Sequence, residues 1–503
     1  MNTQFASLVR EMLPDFSWRK SVDVRQEIIA GLTGALLVIP QAITFAYLAG
    51  VQPVYGLYCA VFVGFLSSLF SNSPLVGGPN TAVSIMLGLT AIQFAGSGSP
   101  LYIEFVLVLS LLVGLIQLVI WLLRGAVLFR YFSPAAISGI KAGIGVLLIT
   151  SALEGALGLS PMSTQFFYEK FYLAIVSWAQ LVNPYAVAIS AVTIAFGLLL
   201  KKRWPRTYII AATVAGSLVG LAICAFAGPV NSQMELLGHV TFDAVLFSAP
   251  HLGPQHWLFL EQVFPNAVAI AILGLAQSLV IARDLKANVS GDIDLHKEVF
   301  AQGISNFLSP FFSTFDGSGS FNRISVAVEM GARTPLSGMI AALAVVFIAY
   351  ALGPFLTALP MPAIAGVLAL VGVGMIQGER RSFERNVDGT VFVVTLLSVL
   401  FLGLEAGIFV AIAASIGFFV ARASKVNFAV TREGNRERIV VDGNLFYASV
   451  DQLAKHLRNN PKAETVLDLS RVPYCDATAK EMIRKAQAER AIHGGQIELV
   501  AST

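Results

Sequence analysis

Two short segments hold the residues with which this chain could do chemistry. Val76-Gly77-Gly78-Pro79-Asn80-Thr81 and Asp316-Gly317-Ser318-Gly319-Ser320-Phe321-Asn322-Arg323 each interrupt a hydrophobic block and then give way to a short apolar run. A helix that begins inside such a block has free first-turn N–H groups and a positive dipole end. Two such ends meeting at membrane depth make an anion site from backbone alone, and N–H bonds to an anion are charge-assisted. Thr81 and Ala82 open one helix, and Ser320, Phe321 and Asn322 open the other, so their N–H groups bind and their side chains set the pocket size. Arg323 is the only basic residue in either start. A lone guanidinium in hydrocarbon is costly unless it is paired or faces water. The competing structural reading pairs it with Glu329, about two helical turns on. Gln41 and Phe45 lie one turn apart and share a face, and a buried amide in lipid must find partners. The plain alternative for the glycines is that they only permit turns and close packing.

The elements that must position these residues are membrane helices. The chain has 503 residues, 56% of them hydrophobic and only 13% charged, with a mean hydropathy of +0.74. Soluble domains carry about 25% charged residues, so this composition belongs to a protein embedded in the lipid bilayer by many spans. The net charge of +3 comes from scattered basic groups, which excludes nucleic acid as a partner. Cys59, Cys224 and Cys475 form no CxxC pair, so no zinc site or disulfide framework is indicated, and no metal or cofactor is implied. The histidines, His239, His251, His256, His296, His456 and His493, avoid the middle of every span, which argues against an intramembrane enzyme.

Lys and Arg are missing from 26–123, 207–282 and 334–379, and the basic clusters between these stretches are read as cytoplasmic. About fourteen spans fit, near 27–49, 54–70, 80–94, 101–123, 134–150, 170–199, 207–228, 260–282, 297–313, 321–331, 335–353, 360–377, 389–403 and 405–421. Residues 1–26 then form a cytoplasmic N-terminal segment without a cleavable signal, 27–228 a first repeat, 229–259 an extracytoplasmic loop and 260–422 a second repeat. Seven spans in each half give the halves opposite orientation, the geometry of inverted repeats with broken helices 3 and 10. From 426 to 503 charge density rises. Arg438 to Val441, Thr465 to Leu469 and Gln496 to Val500 read as strands, Asp442-Gly443 as a hairpin turn, and Val450 to Leu457 and 479–490 as helices. This is a small α/β domain whose last strand has nothing after it to cover the edge, so it looks incomplete.

The run Pro40-Gln41-Ala42-Ile43-Thr44-Phe45-Ala46-Tyr47-Leu48-Ala49-Gly50, followed by Pro53 and Tyr55-Gly56-Leu57-Tyr58, resembles the signature of the sulfate permease (SulP) family of anion transporters. Gly78-Pro79, Glu298, Gly303-Ile304-Ser305-Asn306 and Ser320 to Arg323 resemble the family too, and Val466 to Ser470 with Asp476-Ala477-Thr478 resembles its STAS domain. The resemblance implies a core of spans 1–4 and 8–11 that carries the substrate. Spans 5–7 and 12–14 form a gate, and a homodimer moves its substrate by an elevator-like shift. It implies a small anion as substrate (sulfate, bicarbonate, chloride or a dicarboxylate), by symport with a proton or sodium or by exchange, in the cell inner membrane with both termini cytoplasmic. It places Gln41, Phe45 and Arg323 at the substrate pocket. Many relatives carry an acid in the eighth span where this chain has Gln277, and an amide takes up no proton near neutral pH. Gln277 and Glu27 are the coupling candidates, Glu27 having the simpler reading of a helix N-terminal charge. Ala477 stands where related STAS proteins have a phosphorylated serine, so no phosphorylation switch is expected there. Two readings compete: an uncoupled anion channel, and a nucleobase–proton symporter of the same fold, which Gln277 and Arg323 oppose.

Overall fold

The computed structural model describes residues 11–16, 22–127, 133–159, 168–169, 171–173, 176, 182–204, 208–228, 236, 250, 253–286, 293–384, 389–433, 436–458 and 464–500, with only the backbone at 227, 254–258, 284, 286, 321, 322, 325, 352, 354–357, 379–384, 405, 433, 456 and 458. Most of the 229–259 segment and of the N-terminal segment 1–26 lies outside them.

The first helices are α1 (Val24–Leu48), α2 (Pro53–Phe70), α3 (Thr81–Ala91), α4 (Pro100–Leu122), α5 (Pro134–Leu157), α6 (Pro184–Arg203) and α7 (Tyr208–Ala227). There follow α8 (Pro254–Lys286), α9 (Leu295–Leu308), α10 (Phe321–Glu329), α11 (Leu336–Thr357), α12 (Met361–Glu384), α13 (Gly389–Leu402) and α14 (Leu404–Ala423). Among the described residues, nine helices are long and apolar enough to cross a membrane. By contrast α3, with 11 residues, and α10, with 9, reach only about 16 and 14 Å at the helical rise of ~1.5 Å per residue.

The starts follow from local chemistry. Asp23, Ser99, Ser133, Asn183 and Asp294 cap α1, α4, α5, α6 and α9 through side-chain oxygens, and proline opens α4, α5 and α6. Three helices depart from the expected spans. The sixth begins at Pro184 rather than near 170, because Asn183 caps it there. The fifth runs on to Leu157 and stops at Gly158, whose φ of +68° favours glycine. The eighth is 33 residues long.

Two packing groups emerge. α1 packs on α2, α10 and α11, α4 on α8 and α9, α2 on α9 and α11, and α3 on α8. Separately, α5 packs on α12 and α13, and α6 on α7 and α12. Shifting each helix by seven positions turns the pair α1–α11 into α8–α4, α1–α10 into α8–α3, α4–α9 into α11–α2, and α5–α13 into α12–α6; all of these pairs occur.

A second compact unit comprises Ala413–Thr503. Its sheet has the order β1-β2-β3-β4, with β1 (Asn427–Glu433), β2 (Arg436–Asp442), β3 (Glu464–Arg471) and β4 (Gln496–Val500). β1 and β2 are antiparallel, and β2, β3 and β4 run parallel. Ile439, Val441, Leu453, Leu457, Leu467, Ile483 and Ile497 form its core with α15 (Val450–Arg458) and α16 (Ala477–Ile492). The sequence reading missed β1 and misassigned Asp442-Gly443. β2 and β3 run parallel, so a crossover must join them, and Gly443 (φ +128°) leads toward α15 instead of closing a hairpin. Asp476 caps α16 by accepting the Ala479 N–H at 2.8 Å.

Candidate functional site

The two breaks touch each other. The Ser318 N–H donates to Gly78 O at 2.9 Å, and Asn80 Nδ2 donates to Gly319 O at 2.9 Å. A Cβ on Gly317 would lie 2.3 Å from Gly78 O, so the backbones meet only because position 317 is glycine. Gly78 itself has φ +140°.

Side chains from three helices hold the second linker extended. Asn306 on α9 receives the Gly317 N–H and donates to Gly317 O, both at 2.9 Å. It also donates to Gln117 Oε1 on α4 at 2.8 Å. Ser278 on α8 accepts the Gly319 N–H at 2.9 Å. With its backbone groups satisfied sideways, the linker delivers α10 to face α3.

Arg323 closes the junction. Its Nη1 donates to Pro79 O at 2.6 Å and its Nη2 to Ser318 O at 3.2 Å, one carbonyl from each break. It is 5% exposed, its Nε has no partner, and among the described residues no carboxylate forms a salt bridge with it. These two carbonyls, rather than a salt bridge to Glu329, satisfy it. A cavity of about 30 Å³ beside it, lined by Gly34, Val38, Val76, Gly77 and Ala327 among others, has room for a water.

The other candidates are distributed as follows. Thr81 and Ala82 are buried at the tip of α3, but the Ala82 N–H already donates to Asn80 Oδ1 at 3.0 Å, so Ala82 contributes small size rather than a free donor. Ser320 precedes α10 without a side-chain cap bond, which leaves that helix start uncapped by it. The side chains of Phe321 and Asn322 lie outside the described residues; their backbone forms the first turn of α10. Gln41 and Phe45 are buried on α1, which packs on both α3 and α10, and Gln41 Oε1 has no partner. Gln277 is buried beside Ser278 on α8. Glu27 is not brought to the breaks. Its carboxylate accepts the N–H groups of Arg333, Thr334 and Ser337 at 2.9, 3.0 and 3.1 Å, capping α11.

Sequence reasoning gave no site role to Ser278, Gln117, Ser110 or Asp316, and overlooked Lys141, half-buried on α5. Glu298 was noted only as part of the resemblance. It binds the Ser71 hydroxyl at 2.6 Å and the Asn72 N–H at 3.3 Å, fastening the end of α2 to α9.

The profile of the Sulfate permease family matches residues 24–396. The putative sulfate transporter YvdB of Bacillus subtilis is 25% identical over 511 residues, covering 95% of this chain and 91% of that protein. The probable sulfate transporter 4.2 of Arabidopsis thaliana is 24% identical over 98% of this chain and 79% of that protein. Among solved structures, the murine Solute Carrier 26 family member A9 anion transporter in the inward-facing state superposes with a TM-score of 0.83 at 21% identity, over 98% of this chain and 88% of that one. The transmembrane domain of a cyanobacterium bicarbonate transporter, BicA, gives 0.67 at 21% identity, over 80% of this chain and 99% of that domain.

Proposed function

Because the chain belongs to the sulfate permease family of anion transporters, we propose that it is a secondary transporter that carries a small anion, by symport or exchange, in an elevator-like movement. The observation that carries this reading is the abutting pair of helix starts, locked by an Arg323 that bonds two carbonyls and, among the described residues, forms no salt bridge with a carboxylate. Dipole ends plus a full positive charge favour an anion over a neutral solute. Sulfate, bicarbonate, chloride and dicarboxylates all suit these donors; the relatives named as sulfate transporters favour an oxyanion.

In this reading α1–α4 and α8–α11 are the moving core and α5–α7 with α12–α14 the gate. The two packing groups support that division, and the exchange of helix pairs on shifting by seven supports a seven-plus-seven inverted repeat. The multi-pass chain lies in the inner membrane as a dimer, both termini cytoplasmic, with residues 426–503, which carry the four-stranded sheet, forming a STAS-type domain in the cytosol. Buried Gln41 Oε1 is available to a bound ligand.

The test is uptake of radiolabelled sulfate into proteoliposomes, with competition by chloride, bicarbonate, succinate and an uncharged sulfonamide. The expected result is saturation, acceleration by anion on the far side, and an uncharged competitor at least about tenfold weaker, the cost of one charge-assisted bond. Equal competition by the neutral compound overturns the reading. Non-saturating flux without acceleration supports a channel.

A further inference from the structure

One buried carboxyl has no duty in the site described so far. Asp316 stands two residues before Ser318, whose carbonyl Arg323 grips, so its Cα lies within about 7 Å of that residue. It is 1% exposed. Its Oδ1 accepts from Ser110 Oγ on α4 at 3.1 Å, and the same hydroxyl accepts the Asp316 N–H at 3.1 Å. Its Oδ2 has no partner. Cys59 on α2 donates its thiol to the Asp316 backbone carbonyl at 3.9 Å.

No cation is spent on this carboxyl. Arg323 on α10 directs both Nη atoms to carbonyls. Among the described side chains of the surrounding elements, the other titratable or charged groups are Tyr55, Tyr58 and Cys59 on α2, Tyr102 and Glu104 on α4, Glu261 and Arg283 on α8, His296, Lys297 and Glu298 in the first turn of α9, and Glu329 at the end of α10. Glu298 is the rival buried carboxyl: its Oε1 accepts a hydroxyl and a backbone N–H and its Oε2 also has no partner, but it fastens the end of α2 to α9 and makes no bond to either helix break. Asp316 has a single hydroxyl donor and an empty oxygen and stands in the second break itself, two residues from the Ser318 carbonyl that Arg323 holds, which suits a group that gains and loses a proton better than one that keeps a charge.

We propose that Asp316 is the proton-binding site of this transporter, protonated when an anion occupies the helix breaks and ionised when they are empty. This deepens the anion-carrier reading and rests on it. Ionised, Asp316 offsets the nearby charge of Arg323, and an arriving anion meets a nearly neutral site. Protonated, it leaves that charge for the anion. Anion and proton therefore bind with positive, reciprocal coupling, and each anion crosses with one proton. The group titrates in place of the amide at Gln277, which cannot.

The experiment measures binding of radiolabelled sulfate and of chloride to the purified full chain between pH 5.5 and 8, and the protons taken up on binding in weak buffer. The wild type is expected to lose affinity by up to about tenfold per pH unit on the alkaline side and to take up about one proton per anion. Asp316→Asn, a permanent mimic of the protonated form, is expected to bind with an affinity that no longer varies with pH. Uptake by it is expected to ignore an inward proton gradient. Glu298→Gln is expected to keep the wild-type pH profile. Should Asp316→Asn misfold, the proton count of the wild type decides alone. Anion binding by the wild type without proton uptake overturns the proposal. So does a pH slope that survives in Asp316→Asn, one lost in Glu298→Gln, or an affinity that follows sodium at fixed pH with no proton bound. If neither anion binds the wild type at any pH, the anion-carrier reading itself fails, which is a distinct result.

Discussion

Replacing Arg323 separates its two duties. The guanidinium bridges Pro79 O and Ser318 O, and it carries the charge that the anion would feel. Arg323→Lys keeps the charge but loses the fork, so one of the two carbonyl bonds goes, at a cost of about 1.5–3 kcal/mol. Arg323→Gln loses both charged bonds, roughly 3–6 kcal/mol, and leaves buried carbonyls short of donors. For an anion taken to sit about 7 Å from the guanidinium, an effective dielectric near ~20 gives about 2.4 kcal/mol from 332/(εr). That energy corresponds to about 50-fold in affinity. The lysine variant is therefore expected to melt lower yet bind within about threefold of wild type, and the glutamine variant to melt lower still and bind about 50-fold worse. Thermal scans of purified protein and sulfate binding at pH 6 measure both effects. A folded glutamine variant with wild-type affinity, or a lysine variant as weak as the glutamine one, would show that the charge and the fork are not separate duties of this residue.

Three further outcomes are expected. Gly317→Ala puts a Cβ 2.3 Å from Gly78 O; it should part the two breaks and weaken anion binding about tenfold or more, and wild-type binding would show that the contact is not required. Glu27→Gln should lower the melting temperature, since a carboxylate accepting three N–H groups contributes about 2 kcal/mol beyond an amide, yet leave the pH profile of uptake unmoved; a changed profile would make Glu27 a coupling group. In the C-terminal unit, hydrogen bonds from Ser470 and the Arg438 guanidinium hold the Asp468 carboxyl down to about 2. A depressed carboxylate stabilises the fold above its unfolded value, so protection of β3 amides should fall as pH drops from about 4 toward 2, and Asp468→Asn should abolish that window in hydrogen-exchange measurements.

Hydrophobic runs and the spacing of Lys and Arg were enough to mark a membrane chain of many spans, because both signals are local and additive along the chain. The helix starts at Thr81 and Phe321 were legible for the same reason: glycine, proline and a capping asparagine act on their own neighbours. Where an expectation missed, a distant partner was in control. Asp442-Gly443 looks like a hairpin turn locally, but β2 takes a parallel neighbour from residues 464–471. Glu27 does stand in the first turn of its own helix, as its position suggests, but its oxygens also serve residues more than 300 positions away, which no local signal shows.

Residue types and their spacing are enough to start two helices inside the apolar block and to set one arginine beside them. That those beginnings touch, through Gly317 against Gly78, and that Arg323 bonds carbonyls and not Glu329, follows from the folded arrangement alone. It also decided that Asn306, Ser278 and Ser110 converge on one linker, leaving the Asp316 carboxyl with an empty oxygen. The physical reason is that a buried polar group is defined by its partners. A chain read residue by residue shows which donors and acceptors exist, and folding alone assigns them to one another.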